Sequence, residues 1–308
     1  MKKILSCILV VLMLASLMAV SVGARVGDGY KNYGEVYIDD NADIRLDAEM
    51  EDVYKKGTPW DIKYLHLDYK PPFVDNTPGV YGYRVAGLEE GAVVPEGVAR
   101  GTGYMVFDGD YLWVYVDIID PHLNTKAPNS LESSYRQDSV EFQMDWTNQA
   151  EDKASTIYQA RMTHEGYISG REGANGESLF GSIDDGGENP VTWLKGDAKH
   201  TDAGWACEFR IEVPKDFKEE HFSFALLIND YDETATGTSV VSRVMVCADD
   251  VNNSAQWYGS KYGYIKFDYI NYQPETGDMT LVYVAVAMVM ALGLAAGTIV
   301  SLKKRSVK

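Results

Sequence analysis

Residues 111–119 read Tyr-Leu-Trp-Val-Tyr-Val-Asp-Ile-Ile, and this stretch indicates the fold most clearly. The apolar residues Leu112, Val114, Val116 and Ile118 recur at every second position, so they would lie on one face of an extended chain. A period of two in a segment rich in aromatic and β-branched residues is typical of a strand with one face in a core. We therefore predict a half-buried antiparallel strand here.

The same alternation recurs further along the chain. It is found in the segments 140–145, 158–163, 205–213 and 222–228. Turn-like stretches rich in Gly, Asn and Asp separate these segments, as at 170–187. Outside the two apolar ends of the chain, no segment has a long helical period. The pattern predicts an all-β fold over residues 40–270, an antiparallel β-sandwich of jelly-roll type.

The chain begins with a segment that has the parts of a secretory signal peptide. Two lysines precede an apolar run over 4–20, and small residues follow at 22–24. This order is typical of a signal sequence that is removed after export. We predict a signal peptide over 1–24 and a short lead segment over 25–39, so that the mature chain starts with an arginine.

The C-terminal part has the composition of a membrane anchor. An apolar run over 279–302 is long enough to cross a bilayer as a helix, which needs about 20 residues. The basic tail over 303–308 is predicted to stay in the cytoplasm, because positively charged flanks do so. We therefore expect the sandwich to lie outside the cell, held at the surface through a short linker over 271–278.

The linker resembles the sorting signals of Gram-positive surface proteins. Its residues Pro274, Glu275, Thr276 and Gly277 match the last four positions of the Leu-Pro-x-Thr-Gly motif, whereas Gln273 replaces the leucine. In that family a sortase cuts between Thr and Gly and joins Thr to the cell wall. The resemblance implies a sortase as partner and a cut after Thr276. A plain single-pass membrane anchor is the alternative.

The chain is acidic, with a net charge of −18. Loss of Lys2 and Lys3 with the signal peptide would give −20, and loss of residues 277–308, which carry four basic residues and one acidic residue, would give −23. A surface this acidic repels nucleic acid and anionic lipid. It fits neutral or cationic ligands or bound divalent cations, and it equally fits a protein that is simply kept soluble outside the cell.

Two cysteines, Cys207 and Cys247, lie within the predicted sandwich. Export to an oxidising compartment would allow them to form a disulfide. Both lie in strand-like segments, so two buried free thiols are an equal alternative. No spacing of Cys and His residues resembles a zinc site.

Five segments in a fixed order resemble the family 9 carbohydrate-binding modules and their DOMON-like relatives. They are 108–120, 135–145 with its Asp-Ser-Val-Glu, 204–214, 222–230 with its closing Asn-Asp, and 256–259. The opening motif of that family is reduced here to Asp47-Ala48, with Tyr54 further on. The resemblance covers about residues 40–268. It implies a β-sandwich that binds the end of a sugar between two aromatic rings.

The resemblance also implies which residues would contact the sugar. They are the rings of Tyr135 and Trp257, the carboxylate of Glu141, the guanidinium of Arg161, the amide of Asn229, and a further amide at Asn252 or Asn253. The strand pattern agrees in part, because Glu141 and Arg161 lie on the polar faces of consecutive candidate strands. Carboxylates accept and arginine donates paired hydrogen bonds, as sugar hydroxyls require. The alternatives are a structural ion pair for Glu141 with Arg161 and a packed ring for Trp257.

Asp39, Asn41 and Asp43 resemble the start of a calcium-binding loop. Ile44 and Met50 occupy the positions where an EF-hand needs Gly and Glu, so the segment is not an EF-hand. The resemblance to the family implies structural calcium, and Asp39, Asn41 and Asp43 are the candidate ligands. A solvated acidic turn is the alternative.

Other functions fit parts of the sequence. A haem-binding redox module, as in DOMON relatives, would use Met105 with His122 or His164. A glycoside hydrolase would need two carboxylates at a defined separation, and a chain this acidic contains many such pairs by chance. A structural or adhesive surface protein would keep the sandwich without a sugar site. Tyr135 favours this alternative, because the family usually has tryptophan at that position. We predict a protein of the cell surface that binds a glycan or oligosaccharide and is not an enzyme.

Overall fold

The computed structural model describes a set of segments that excludes both apolar ends of the chain. These segments are 30–66, 91–123, 137–148, 157–172, 181–182, 192–233, 241–249 and 262–269. The chain divides into two compact units, Met1–Asp268 and Tyr269–Lys308, and the described strands all belong to the first. Among the described residues, no helix has the length and apolar character needed to span a bilayer.

The described residues form strands and one short 3₁₀ helix, η1 (Tyr54–Lys56). In chain order the strands are β1 (Asn32–Glu35), β2 (Tyr37–Ile38), β3 (Trp60–Ile62), β4 (Tyr64–His66), β5 (Arg100–Phe107), β6 (Tyr111–Ile119), β7 (Ser139–Asp145), β8 (Ile157–Thr163), β9 (Ile168–Glu172), β10 (Gly181–Ser182), β11 (Leu194–Thr201), β12 (Gly204–Glu212), β13 (His221–Glu233), β14 (Val241–Cys247) and β15 (Gly263–Lys266). The predicted all-β class is confirmed. The segment 170–187, predicted as a turn, contains the end of β9 and the short β10.

The strands form two sheets. The nine-stranded sheet has the order β1-β15-β13-β7-β8-β9-β10, with β14 paired to β13 and β4 paired to β14. The six-stranded sheet has the order β11-β12-β6-β5-β2, with β3 also paired to β5. Most pairs are antiparallel, as predicted, but β1 with β15 and β2 with β5 are parallel. The architecture is a two-layered, sandwich-like all-β fold.

The core lies between the two sheets and is rich in aromatic rings. Phe224 on β13 contacts Tyr33 on β1 and Trp60 on β3, with ring centroids 4.3 and 5.1 Å apart. Phe142 on β7 lies 5.3 Å from the same Phe224 ring. Close contact between the sheets is possible at Gly196, where an added Cβ would lie 2.3 Å from Cε of Met162. Aromatic packing of this kind supplies much of the burial that stabilises a sandwich.

Both faces of β6 are buried at its centre, whereas Asp117 and Ile119 near its end are exposed. Leu112, Val114 and Val116 are fully buried, as the alternating pattern predicts. Trp113 and Tyr115 on the opposite face are only 3% and 4% exposed, because Val53, η1 and neighbouring residues from the N-terminal part of the sandwich pack against them. The prediction of a half-buried strand is therefore wrong for residues 112–116 of β6, since a segment distant in sequence covers the outer face there, and it holds for residues 117–119.

The two cysteines are free, buried thiols. Cys207 lies on β12 in the six-stranded sheet, and Cys247 ends β14 in the nine-stranded sheet. Burial raises the pKa of the Cys207 thiol well above its ordinary value. The Cys247 thiol donates a hydrogen bond to the carbonyl oxygen of Asp249 at 3.0 Å. Of the two alternatives left by the sequence, the structure has the free thiols.

Candidate functional site

Polar side chains from three adjacent strands meet on the nine-stranded sheet. Glu141 on β7 lies directly opposite Arg161 on β8, and Ser139 on β7 lies opposite Asn229 on β13. Gln159 lies on β8 two residues from Arg161, on the same face because side chains alternate along a strand. We call Ser139, Glu141, Gln159, Arg161 and Asn229 the polar patch.

Glu141 is the centre of the polar patch. Its Oε1 accepts hydrogen bonds from Nε of Arg161 at 2.9 Å and from Nδ2 of Asn229 at 3.1 Å. Its Oε2 accepts from Nε2 of Gln159 at 2.8 Å. Nδ2 of Asn229 also lies 3.1 Å from Oγ of Ser139 and donates to it. The contacts give the carboxylate donors on both oxygens, which a buried charge requires.

The polar patch is shielded from water. The Glu141 and Arg161 side chains are 0% and 3% exposed, and Asn229 and Gln159 are also buried. In such surroundings hydrogen bonds to charged groups are stronger than in water, and the groups are fixed in position before any ligand arrives. The ion pair named as an alternative for Glu141 and Arg161 is therefore present in the structure.

The polar row continues along β7 beyond the patch. Gln143 is buried, and its Oε1 accepts a hydrogen bond from the hydroxyl of Tyr262 at 2.5 Å. Asp145, two residues further, accepts hydrogen bonds from the backbone N–H and hydroxyl of Thr147 at 3.0 and 2.7 Å. The alternation of Glu141, Gln143 and Asp145 with apolar residues is visible in the sequence. Ser139 and Tyr262 were not predicted, and for Tyr262 no sequence signal pointed to the site.

The structure brings together three of the six predicted sugar contacts: Glu141, Arg161 and Asn229. Tyr135 and Trp257 lie outside the described residues, as do the alternative amides at 252 and 253. Their role beside the polar patch therefore stays a prediction. The sorting-motif residues 274–277 also lie outside the described residues.

The segment Asp39–Asp43 is a turn at the surface. The carboxylate of Asp39 accepts the backbone N–H of Asn41 at 3.2 Å and forms an ion pair with Nζ of Lys56 at 3.4 Å. Asn41 and Asp43 are exposed. These contacts are those of a solvated acidic turn, and calcium binding by Asp39, Asn41 and Asp43 stays a prediction.

A different group of acidic residues meets in the interior. Asp120, Asp138 and Asp230 are all buried, and one carboxylate oxygen of each lies within 4.8 Å of the other two. Burial raises the pKa of Asp120, against the opposing influence of the backbone N–H of His122 and of the imidazoles of His122 and His164. Sequence reasoning missed this group, because its members come from three separate parts of the chain.

Two of the residues proposed for haem ligation, Met105 and His164, pack against other parts of the protein. Met105 on β5 is buried in the core at 2% exposure. The His164 ring stacks on His200, and Nδ1 of His164 lies 3.1 Å from Nε2 of His200. Neither the burial of Met105 nor the contact of His164 with His200 supports the haem alternative.

Another buried carboxylate, that of Glu208 on β12, attaches the N-terminal part of the sandwich to the six-stranded sheet. Its Oε1 accepts from the hydroxyl of Tyr54 at 2.5 Å, and its Oε2 accepts from the backbone N–H groups of Asp47 and Ala48 at 3.1 and 3.2 Å. Burial raises the pKa of Glu208 to about 7, although these hydrogen bonds lower it. Ala48 has a φ of 53°, which is in the left-handed region.

A shallow pocket of about 190 Å³ lies on the six-stranded sheet, away from the polar patch. Arg100, Asp117 and Ile119 are among its lining residues. None of the described residues that line it is aromatic. The described lining therefore offers no ring surface on which a sugar ring packs.

A search among curated proteins finds no match. Among solved structures, the chain is similar to a family 9 carbohydrate-binding module from Caldicellulosiruptor kristjanssonii in complex with cellotriose, at 17% identity and a TM-score of 0.47, covering 77% of this chain and 94% of that chain. It is also similar to a family 9 module from the same organism in complex with glucose, at 18% identity and a TM-score of 0.48, covering 77% and 95%.

The sequence model of one family matches the chain itself. It is described as "Carbohydrate family 9 binding domain-like" and matches residues 83–266, more than half of the 308 residues. That match includes β5 to β15 and the whole polar patch. The protein therefore belongs to the carbohydrate family 9 binding domain-like family.

Proposed function

We propose that the protein binds carbohydrate at the polar patch without chemically changing it. The observation that carries this proposal is the fixed arrangement of Glu141, Arg161 and Asn229 on the sheet of a member of this family. A carboxylate, a guanidinium and an amide together offer the acceptors and donors that neighbouring sugar hydroxyls need. Because the strands set their positions in advance, little conformational entropy is lost on binding.

Two aromatic rings would complete the proposed site. In the sequence, Tyr135 lies four residues before the start of β7. Trp257 lies between β14 and β15. Rings that cover the apolar face of a pyranose would exclude water and strengthen the hydrogen bonds beneath it. The proposed contacts are therefore stacking by Tyr135 and Trp257 and hydrogen bonding by Glu141, Arg161 and Asn229.

The test is binding of the purified protein to a glycan array, followed by calorimetry on the sugars that bind. Cellotriose and glucose, the ligands of the two similar modules, are suitable first probes. We expect Trp257→Ala and Tyr135→Ala to weaken binding at least about tenfold, since an aromatic contact is worth on the order of 1 kcal/mol or more. Tyr104→Ala is the matched control, because it removes a half-buried ring from the other sheet. Binding to no sugar, or equal binding by both ring variants, would reject the proposal.

A structural or adhesive surface protein is the second candidate. The complete burial of Glu141 and the near-complete burial of Arg161 favour it, because a purely structural ion pair would have the same geometry. The two candidates differ in one measurable respect. A structural pair affects stability alone, whereas a sugar site also changes affinity when the pair is altered in a variant that stays folded.

We infer that the protein is exported and attached at the cell surface, with a sortase cut after Thr276. The apolar run at 279–302 and the basic tail at 303–308 support attachment, and the Pro-x-Thr-Gly motif supports cleavage. Mass spectrometry of the protein released from the cell wall would show Thr276 as its last residue. An intact C-terminus in the membrane fraction would instead support the plain anchor.

A further inference from the structure

The shallow pocket on the six-stranded sheet presents charged groups to solvent. Thr102 on β5 lies directly opposite both Asp61 on β3 and Asp117 on β6, and Arg100 lies directly opposite Ile119. Side chains of directly opposed residues lie on the same face of a sheet. The polar and charged lining therefore comes from one face of three neighbouring strands: Asp61 and Lys63 at β3, Arg100 and Thr102 on β5, and Asp117 on β6.

This face is the outer one. A Cβ added to Gly101 would lie 3.2 Å from Cδ1 of Ile228, which belongs to the other sheet, so position 101 faces the core. Because side chains alternate along a strand, Arg100 and Thr102 point away from the core. Arg100 is half-buried and Ile119 is 44% exposed. A small molecule in solvent can therefore reach the pocket without any opening of the sandwich.

Two of the four charges in the pocket balance each other, and two do not. Nζ of Lys63 lies 2.6 Å from Oδ2 of Asp61, which makes these two an ion pair. Within the described segments, the side chains of Arg100 and Asp117 form neither an ion pair nor a hydrogen bond. They are diagonal neighbours on adjacent strands, a relation that places residues about 7–8 Å apart. The pocket therefore offers one cation and one anion with room for a few atoms between them.

The carboxylate of Asp117 gives a second observation. Partial removal from water raises its pKa, and no basic group opposes this effect. A carboxylate in such surroundings is stabilised by a cation that contacts it. Arg100 has the complementary preference, because a guanidinium forms two parallel hydrogen bonds with a carboxylate. The best partners for the two residues are therefore an ammonium group and a carboxylate.

We propose that this pocket binds a small zwitterion, a free α-amino acid, with its carboxylate on Arg100 and its ammonium group on Asp117. The Thr102 hydroxyl can donate to the same carboxylate, and Ile119 offers an apolar surface to a short side chain. The volume of about 190 Å³ is below the roughly 300 Å³ at which pockets for drug-sized ligands begin. It therefore suits a single small amino acid.

A ligand with charge of one sign only fits less well. A simple anion on Arg100 would be repelled by Asp61 and Asp117, and a simple cation on Asp117 would be repelled by Lys63 and Arg100. The pocket lies on the six-stranded sheet, whereas the polar patch lies on the nine-stranded sheet. This second site is therefore independent of the proposed sugar binding.

The test is a titration of the full chain with L-alanine at pH 7, followed by calorimetry or NMR. We expect saturable binding of L-alanine. N-acetyl-L-alanine, which lacks the ammonium group, and L-alanine methyl ester, which lacks the carboxylate, should each bind at least about tenfold more weakly, because each loses one charge-assisted contact. Arg100→Met and Asp117→Asn should weaken L-alanine binding by a similar factor. Arg45→Met, which changes an exposed arginine outside the pocket, is the matched control and should bind as the unchanged protein does.

Three results would overturn the proposal. They are no saturable binding of L-alanine at millimolar concentrations, equal binding of L-alanine and its two blocked analogues, and unchanged binding by both pocket variants. Competition by glucose or cellotriose would place L-alanine at the polar patch and would also overturn it. Sugar binding itself should be the same in Arg100→Met, so failure of one site does not decide the other. If a variant does not fold, the comparison of L-alanine with its analogues on the unchanged protein decides.

Discussion

Arg161 and Glu141 face each other across β8 and β7 and form a buried ion pair, with Nε and Oε1 2.9 Å apart. The pair is joined through Glu141 to Gln159 and Asn229, so its members are not independent. A buried charge without a partner has a large desolvation penalty, and the attraction between the two partners offsets that penalty. The fold and the proposed sugar site therefore depend on the same side chains.

This dependence predicts a large loss of stability when one partner is neutralised. Glu141→Gln should lower the free energy of unfolding by about 3 kcal/mol, because it leaves the Arg161 charge buried without its carboxylate. Denaturant unfolding measures the change. In the exposed pair of Glu35 with Lys266, Glu35→Gln should have no measurable effect. The double change Glu141→Leu with Arg161→Met should lower the free energy of unfolding by less than the sum of the two single changes. Additive changes in the free energy of unfolding would contradict the coupling between the two residues.

The buried Glu208 predicts a dependence of stability on pH. Its folded-state pKa of about 7 lies above the ordinary carboxyl value of 4.5. Between these values the folded protein binds a proton that the unfolded chain releases, so the free energy of unfolding should decrease as the pH rises from about 4.5 to about 7. Glu208→Gln should remove this part of the slope, because an amide does not titrate.

The Gln variant can keep the contacts of Glu208. Its Oε1 can accept from the backbone of Asp47 and Ala48, and its Nε2 can donate to the Tyr54 hydroxyl oxygen. Melting temperatures over this pH range, compared with those of the exposed-site control Glu212→Gln, measure the difference. An unchanged slope in Glu208→Gln would show that other groups cause it.

Ala48 predicts a stabilising substitution. Its φ of 53° is unfavourable for a residue with a Cβ atom, whereas glycine adopts this conformation without strain. Ala48→Gly should raise the free energy of unfolding by about 0.5–1 kcal/mol, after the entropy that glycine adds to the unfolded chain is subtracted. Ala42→Gly, in the same part of the chain without a positive φ, should destabilise instead. A loss of stability in Ala48→Gly would mean that Ala48 packing outweighs the backbone strain.

The close packing at Gly196 predicts that a larger side chain at this position destabilises the protein. A Cβ there would lie 2.3 Å from Cε of Met162, 2.7 Å from Cδ1 of Ile168 and 2.8 Å from the carbonyl oxygen of Glu208. Gly196→Ala should therefore destabilise the protein by about 1–3 kcal/mol through overpacking. At Gly97 an added Cβ meets nothing within 4 Å, so Gly97→Ala should be nearly neutral. Equal effects of the two changes would contradict close packing between the sheets.

Strand positions were well predicted from the sequence where the alternation is strong. β6 has the predicted bounds, and β8 and β12 differ from them by about one residue. Their period of two is a local property of the chain, so the sequence contains it. The burial of Trp113 and Tyr115 is not local, because it depends on residues near Tyr54 that reach β6 only in the folded protein.

The same distinction applies to the sites. Glu141 and Arg161 were paired correctly because β7 and β8 are consecutive strands whose polar side chains lie on the same side of the sheet. The group of Asp120, Asp138 and Asp230 was missed, because its members meet only through the order of strands in two sheets. The partners of Glu208 were missed for a similar reason, since Asp47 and Ala48 precede it by about 160 residues.

The free thiols of Cys207 and Cys247 have a practical consequence. Because no bond between them is needed to complete the fold, a reducing agent should leave the sandwich intact, and expression in a reducing cytosol should yield native protein. The two thiols are fully buried and lie in different sheets, so a thiol reagent reaches each of them only when the strands around it unfold locally. The two labelling rates would then report, without any added probe, whether the two layers separate in one step or one after the other.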